Sequence, residues 1–564
     1  MDTRRTILWM IFSFSLLLLW NNWQVHNGRP SLFGLGENTV QTDKPAAQGA
    51  TKDAGVPTHV ATPTAPGQAA TSTAAGTGVP AQDVEHVGQQ VHVKTDVFDL
   101  TFDTLGAQLV QAELLKYKAL DGSGDPMMLL DDAPGRIYLA QTGVVGAPQG
   151  QSYPTHLTPF TLVSQDTSGD TTTVVFEATS DQVKVVKTFT LHKDSYDIHV
   201  RHDIYNLGDA AIDPSVYLQL TRDGNDPPNT SGFYSTFTGP VVYSSEEKFQ
   251  KIDFDDLIEG KAKYVQQADD GWIGMVQHYF ASAWVPAEGA SRTNQALRVA
   301  DNLYAVRTIE PVGTIAPGEH QSIDSQLWTG PQDQQAMSEV APGLDVVVDY
   351  GWVTIIAKPM FKFMTWLHSL LGNWGWTIVA LTLLIKLVFY PLSAASYRSM
   401  AKMKLVAPRM KTLRDKYGDD KAKLNAAMME MYRTEKINPL GGCLPMVVQI
   451  PVFIALYWVL LASVEMRGAP WILWIHDLSV RDPWFILPAV MMATMFLQIK
   501  LNPTPPDPTQ AKIMMIMPLV FGGMMFFFPA GLVLYWCVNN AISLVQQRVI
   551  MSKLDKEKAA SASS

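Results

Sequence analysis

Apolar positions change their spacing three times along the chain, and each change predicts a different kind of structure. Arg4 and Arg5 precede an unbroken apolar run over 7–20. Asn21, Asn22 and Trp23 then stand where a cleavage site would need small residues, so residues 1–23 are expected to remain as a signal-anchor span with a cytoplasmic N-terminus. Residues 24–83 turn to Ala, Thr, Pro and Gly, with too few large apolar side chains to offset ordering entropy, and predict a flexible tether.

Over 84–345 the period becomes two. Phe98, Leu100 and Phe102 alternate with Asp99, Thr101 and Asp103, while Tyr196, Ile198, Val200 and Ile204 alternate with Asp197, His199, Arg201 and Asp203. Turn clusters such as Lys193-Asp194-Ser195 and Gly208-Asp209 punctuate the runs. A large antiparallel β-sandwich is the expected fold.

From 351 the long apolar runs return. "GWVTIIAKPMFKFMTWLHSLL" sets Lys358, Lys362 and His368 among Trp352, Phe361, Phe363 and Trp366, which suits an amphipathic helix in the membrane interface over 346–372. Spans follow at 374–392 and at about 440–464, 484–499, 513–527 and 531–545. Merged, the last two would make a helix of about 33 residues, near 50 Å against a bilayer core of about 30 Å, so they are split at Phe528-Pro529-Ala530. The fold class expected is a polytopic α-helical membrane protein of six spans, five of them in a core over 373–550, carrying the β-sandwich outside the cytoplasm.

Charge orients those spans. The loop over 393–438 carries Arg398, Lys402, Arg409, Arg414, Lys416, Lys423 and Arg433 among its many basic residues, against far fewer acids, and is expected in the cytoplasm. Within it, Met403, Val406, Met410, Leu413 and Tyr417 make one helical stripe. Gly418, Asp419 and Asp420 supply caps before a second stripe begins at Leu424, predicting a charged helical hairpin over 397–436. Glu465, Asp477 and Asp482 balance Arg467 and Arg481 in the loop 465–483, which belongs on the far side. Lys512, Arg548, Lys553 and Lys556 return the last connection and the tail 551–564 to the inside, so both termini are cytoplasmic.

A net charge of −10 over 564 residues argues against a dedicated nucleic-acid substrate, although the basic hairpin suits ribosomal RNA or anionic lipid headgroups. The two cysteines, Cys443 and Cys537, lie in apolar stretches and build neither a disulfide framework nor a metal site. No phosphate-binding glycine loop, zinc-protease motif or nucleophile elbow occurs, so no enzyme, cofactor or metal is expected.

The candidate chemistry centres on Lys386, within "WGWTIVALTLLIKLVFYPL". A charge at the middle of a membrane helix costs roughly 2.5 to 3.5 kcal/mol on insertion scales and usually faces a bundle interior or wet cavity. The alternative is that its stem snorkels to interfacial water. The spans hold no acid except Glu465 at an outer edge, so the neighbours available are Thr382, Gln449, Gln498, Asn539 and Asn540. The short last two spans suggest a locally thinned bilayer. The methionines Met491, Met492, Met495, Met514, Met515, Met517, Met524 and Met525 offer either a surface tolerant of many sequences or ordinary packing.

"NPLGGCLPMVVQIPVFIALYWVL", "LWIHDLSVRDPWFILP" and "FPAGLVLYWCVNN", in that order after a charged hairpin, resemble the YidC/Oxa/Alb family of membrane protein insertases in its Gram-negative form. The resemblance implies a groove open to cytoplasm and lipid and closed on the periplasmic side. Lys386 stands where many members have arginine, which keeps its charge under burial as a lysine need not. Thr382 matches the family's polar groove partner, and Gln449 joins the hydrophilic groove. Ile450, Phe453, Tyr535 and Trp536 fall on the substrate slide, with Trp536 where tyrosine is common. Tyr390, Tyr397 and Asp507 correspond to ribosome-facing positions. The β domain resembles a sugar-mutarotase sandwich without evident catalytic function.

The resulting expectation is an inner-membrane insertase and folding chaperone. Its partners are nascent membrane proteins, the ribosome, membrane lipids and, in some insertions, the Sec translocon. Two rivals stay open on the residues alone: an anion or solute transporter, for which no inverted repeat is evident, and a membrane-tethered carbohydrate-binding protein.

Overall fold

The computed structural model describes residues 88–119, 123–133, 135–227, 236–417, 420–435, 444–501 and 508–563. The expected anchor 1–23, the tether 24–83, Gly418, Cys443 and Asp507 lie outside them. The described chain divides into two compact units between Val348 and Asp349.

The first unit is a sandwich of two nine-stranded antiparallel sheets. One sheet runs from the edge strand Gln90–Lys94 through Arg136–Val145 and Ser215–Asp223 to Gln267–Ala268. The other runs from Lys248–Lys251 through Trp272–Gln277, Phe280–Pro286 and His320–Pro331 to Thr161–Ser168. The alternation read from the sequence explains the core: Phe98, Leu100, Phe102, Ile198, Val200 and Ile204 are all buried, while His199 and Arg201 face water. Thr101 and Asp103 are buried too, so the strand Phe98–Asp103 is covered on both faces.

Polar groups lock the sheets face to face. Trp284 Nε1 donates to the Gln219 carbonyl at 3.0 Å, and the Tyr138 hydroxyl donates to the Met275 carbonyl at 3.2 Å. Asp194 takes a positive φ of 57° in the predicted turn between Val183–His192 and Asp197–Asn206, a conformation its short polar side chain tolerates. The unit also carries one helical turn, α1 (Phe254–Ile258), and a short closing helix, α2 (Gln334–Val340). Asp333 caps α2 by accepting from Gln335 N and Ala336 N.

The second unit is helical. α3 (Thr354–Leu371) buries Ala357, Phe361, Met364 and Leu367 at helical spacing and exposes Ile355, with Trp352 exposed just before it. Trp366 and Leu370 are exposed on the helix itself, and Phe363 stacks on Trp366 at 5.5 Å, so both faces of this segment are apolar. α4 (Trp374–Val388) follows, and the chain bends by 65° into α5 (Tyr390–Tyr417). The run expected as one span over 374–392 is therefore broken at Phe389, and the straight part is only 15 residues, about 22 Å long.

α5 and α6 (Lys421–Thr434) form the predicted hairpin. Asp420 caps α6 by accepting from Lys423 N at 3.1 Å, and Arg409 pairs with Glu435 across the two helices. α7 (Leu444–Ala462), α8 (Ile486–Leu501), α9 (Pro508–Met524) and α10 (Ala530–Ser563) complete the unit. The break expected between the last two runs is present: Phe528 is extended (φ −95°, ψ 155°) and leads through Pro529 into α10. Among the described residues no single helix is long and apolar enough to cross a membrane, while the bent α4 and α5 pair passes that test together.

Candidate functional site

One end of the helical unit is stitched shut by the loop between α7 and α8. Ala530 N donates to the Val480 carbonyl at 2.7 Å and Gly531 N to the Leu478 carbonyl at 2.9 Å, fastening the loop to the start of α10. Asp482 accepts from Trp474 Nε1, Trp484 N and Leu487 N, so it ties the loop to itself and caps α8. Asn373 Nδ2 donates to the Pro470 carbonyl at 2.9 Å. Gly375 is needed here for close approach, since a Cβ in its place would lie 2.2 Å from Trp471 Cδ1.

The opposite end is hollow. Lys386 sits in the last turn of α4, about 18 Å along the helix from Trp374. Its ammonium turns inward rather than snorkelling: the residue is 6% exposed and Nζ donates to Ser543 Oγ on α10 at 2.9 Å. Ser543 Oγ donates in turn to the Asn539 carbonyl at 2.7 Å, and Asn539 Oδ1 accepts from Gln449 Nε2 of α7 at 3.2 Å. Tyr397 of α5 donates its hydroxyl to the Ser543 carbonyl at 3.4 Å.

Beside this network lies a cavity of about 420 Å³ between α4, α5, α7, α8 and α10. Its polar wall is Lys386, Gln449, Gln498, Asn539, Asn540 and Ser543. Its apolar wall is Ile450, Phe453, Met495, Ile499, Tyr535 and Trp536. Phe453 packs against Trp536 with ring centroids 4.6 Å apart, and Phe521 meets the other side of that indole at 5.2 Å. Among the described residues no carboxylate lines the cavity, so the lysine meets only neutral polar groups of that set there. A hollow of this size lies within the roughly 300–1,000 Å³ of pockets that enclose small ligands, and admits a few side chains rather than a domain.

Two family models cover successive parts of the chain and meet within α3. Residues 90–363 match the YidC periplasmic domain, and residues 366–558 match the 60Kd inner membrane protein. A relative from Bordetella pertussis named membrane protein insertase YidC is 65% identical over 577 residues, covering 100% of both chains. This chain belongs to the YidC membrane protein insertase family. A relative of the same name from Cupriavidus metallidurans is 51% identical over 564 residues, covering 99% of each chain. A crystal structure described as active YidC insertase is 19% identical, with a TM-score of 0.37, covering 82% of this chain and 92% of that one.

Within that family frame, the structure gathers most of the residues singled out from the sequence. Lys386, Gln449, Ile450, Phe453, Tyr535, Trp536 and Tyr397 share the cavity. Thr382 does not: it is buried and spends its hydroxyl on the Ile378 carbonyl one turn back, at 2.7 Å. Tyr390 is 38% exposed at the bend, outside the cavity. Ser543 was not anticipated, yet it is the lysine's partner. Its signal was its position four residues after Asn539 and seven after Trp536, on one face of α10.

Proposed function

We infer that this chain inserts membrane proteins into the inner membrane, and that its helical unit receives a nascent segment in the cavity beside Lys386. The carrying observation is a buried ammonium without a carboxylate at a hollow whose facing wall is aromatic and aliphatic. The polar flank of a nascent segment rests against Lys386 and its neighbours, and acidic flanks are attracted by the charge. The apolar part lies along Ile450, Phe453, Tyr535 and Trp536 and leaves sideways into lipid, gaining roughly 0.8 kcal/mol per buried methylene. The chain is not an enzyme, because partitioning drives the step without a reacting bond.

Six spans with both termini in the cytoplasm fit the charge of the loops, and the β-sandwich then lies in the periplasm. The stitched loop 463–485 becomes the periplasmic seal, and the short α4 is consistent with a bilayer thinned around the cavity. The interfacial role of α3, the domain bounds taken from the sequence, ribosome contact through the α5 and α6 hairpin with Tyr390 and Asp507, and cooperation with the Sec translocon belong to this same reading, whereas Tyr397, expected to face the ribosome, lines the cavity and bonds Ser543 instead.

The test is reconstitution of the full chain in liposomes with a ribosome-bound membrane protein and a photocrosslinker at Phe453. Crosslinks that appear during insertion support the groove. Solute flux through the liposomes with no crosslink from Phe453 would sink it.

A further inference from the structure

The loop 463–485, which closes one end of the helical unit, carries an outer surface that closing does not use. Ile472, Leu473, Val480, Trp484 and Phe485 are exposed on it, Leu473 by 75% and Trp484 by 66%. Trp484 stacks on Trp474 with ring centroids 5.8 Å apart, and Phe485 lies 5.2 Å from the Phe526 ring. The charge exposed in this stretch is Arg481, whereas Glu465, Arg467 and Asp477 are half-buried and Asp482 is buried.

Two of the apolar tips sit where a turn in water favours other residues. Among the described residues of the helical unit, the non-glycine residues with a positive φ are Leu473, at 55°, and Phe485, at 56°. Leu473 is second in the turn 472–475, closed by Ile475 N donating to the Ile472 carbonyl at 3.2 Å, a place suited to Gly, Asn or Asp. Left-handed backbone is costly for a bulky side chain, and an apolar group left in water offers nothing in return. Removal of the tips from water offsets both costs.

The level of the loop fits that removal. Asn373 Nδ2 bonds the Pro470 carbonyl, and Trp376 meets Trp471 edge to face at 5.8 Å, so the loop is fastened to the start of α4. The straight part of α4 is about 22 Å long, so a bilayer core of about 30 Å centred on it reaches about 4 Å past each end. The exposed apolar surface also continues along the adjoining α8 through Val490 and Leu497.

Resting on the insertase reading, which puts this loop on the periplasmic side, we propose that it is a lipid-embedded plug. Leu473, Trp484 and their neighbours enter the acyl chains of the periplasmic leaflet, and Arg481 meets the phosphates above them. Thinning alone would lower the headgroups to the loop and leave its tips in water. Tryptophan and a basic residue at the boundary are what the membrane interface favours. The seal is then held by Asp482 from within and by lipid from outside.

The experiment uses the full chain in liposomes of phosphatidylethanolamine and phosphatidylglycerol, with Cys443 and Cys537 changed to alanine. A nitroxide is attached to a cysteine placed in turn at Leu473, Trp484, the exposed Leu497 of α8 and the exposed Ser338 of α2. Labels at Leu473 and Trp484 should lose collisions with a water-soluble nickel chelate and gain them with oxygen, as at Leu497 and unlike Ser338. Leu473→Asn suits the left-handed turn but not lipid, and should lower the thermal unfolding midpoint in liposomes by several degrees; a turn in water would be stabilised by the same change. Nickel collisions at Leu473 and Trp484 equal to those at Ser338, or a raised or unchanged midpoint for Leu473→Asn, overturn the plug and leave the groove standing. A label screened from both reagents means that protein covers the loop, and overturns it equally. If Leu497 itself meets nickel as freely as Ser338, the helical unit is outside the bilayer and the insertase reading falls.

Discussion

Each compact unit buries a lysine that meets no carboxylate among the described residues, and the two are used in opposite ways. Lys187, in the sandwich, is 0% exposed; its Nζ donates to the carbonyls of Gly106 and Thr142 at 2.7 and 2.8 Å and lies 4.6 Å from the centre of the Phe160 ring. Burial pushes its pKa down to about 7. Lys386 donates to one hydroxyl and borders a cavity. Burial of a cation is thus no mark of a site by itself. Lys187 spends two donors on backbone carbonyls and fastens two sheets; Lys386 spends one on a hydroxyl beside empty space.

That contrast can be broken by substitution. The largest effect is expected in the sandwich. Lys187→Ala removes two hydrogen bonds to carbonyls and opens a void, and should destabilise the β unit by about 3 kcal/mol while insertion at low temperature changes little. Lys187→Met, which restores volume, should lie between Ala and wild type; chemical denaturation followed by fluorescence checks both. Lys386→Ala should do the reverse, reducing insertion of acidic-flank substrates roughly tenfold to a hundredfold, the range of a charge-assisted hydrogen bond, with little change in unfolding. Lys386→Arg should retain activity, and equal rates for all three proteins in liposomes would erase the distinction.

Acid sharpens the comparison next. His156 and His202 are buried in the sandwich, and burial first, then the Lys187 charge, lowers each pKa to about 3 from 6.5. The unfolded chain therefore binds more protons between those values, and stability of the β unit should fall as pH drops from about 6.5 toward 3. For Lys187 the same logic applies between about 7 and 10.5, where stability should rise with pH. A pH series of unfolding midpoints reads both slopes, and a flat series would mean that these groups are not buried as described. Smallest is Ser543→Ala, which frees the Lys386 ammonium and should alter insertion about fivefold or less.

Much of this was legible in the sequence, and the reasons are local. Alternation at Phe98, Leu100 and Phe102 made strands because a strand shows its sides in turn, and Asp420 made a helix start because its carboxylate meets free backbone N–H groups. Lys187 was also readable: it occupies an inward position in the series Val183, Val185, Lys187, Phe189, Leu191, a polar residue in an apolar phase. At the candidate site the sequence supplied Lys386 and Gln449 through their placement within apolar runs, and Phe453 through the family resemblance. It offered Thr382 as a polar partner through its place one turn before Lys386 and through the family resemblance, and that hydroxyl is taken by the helix's own backbone.

The sequence by itself determined the kinds of structure, because periodicity and charge bias act through neighbours a few residues apart. Only the tertiary structure decided which groups meet. It broke the helix after Lys386 and carried Ser543 to the ammonium across 157 positions of chain. Those outcomes depend on how helices far apart in sequence pack together, where a rotation of one residue exchanges a cavity wall for a lipid face, and no local pattern encodes that choice.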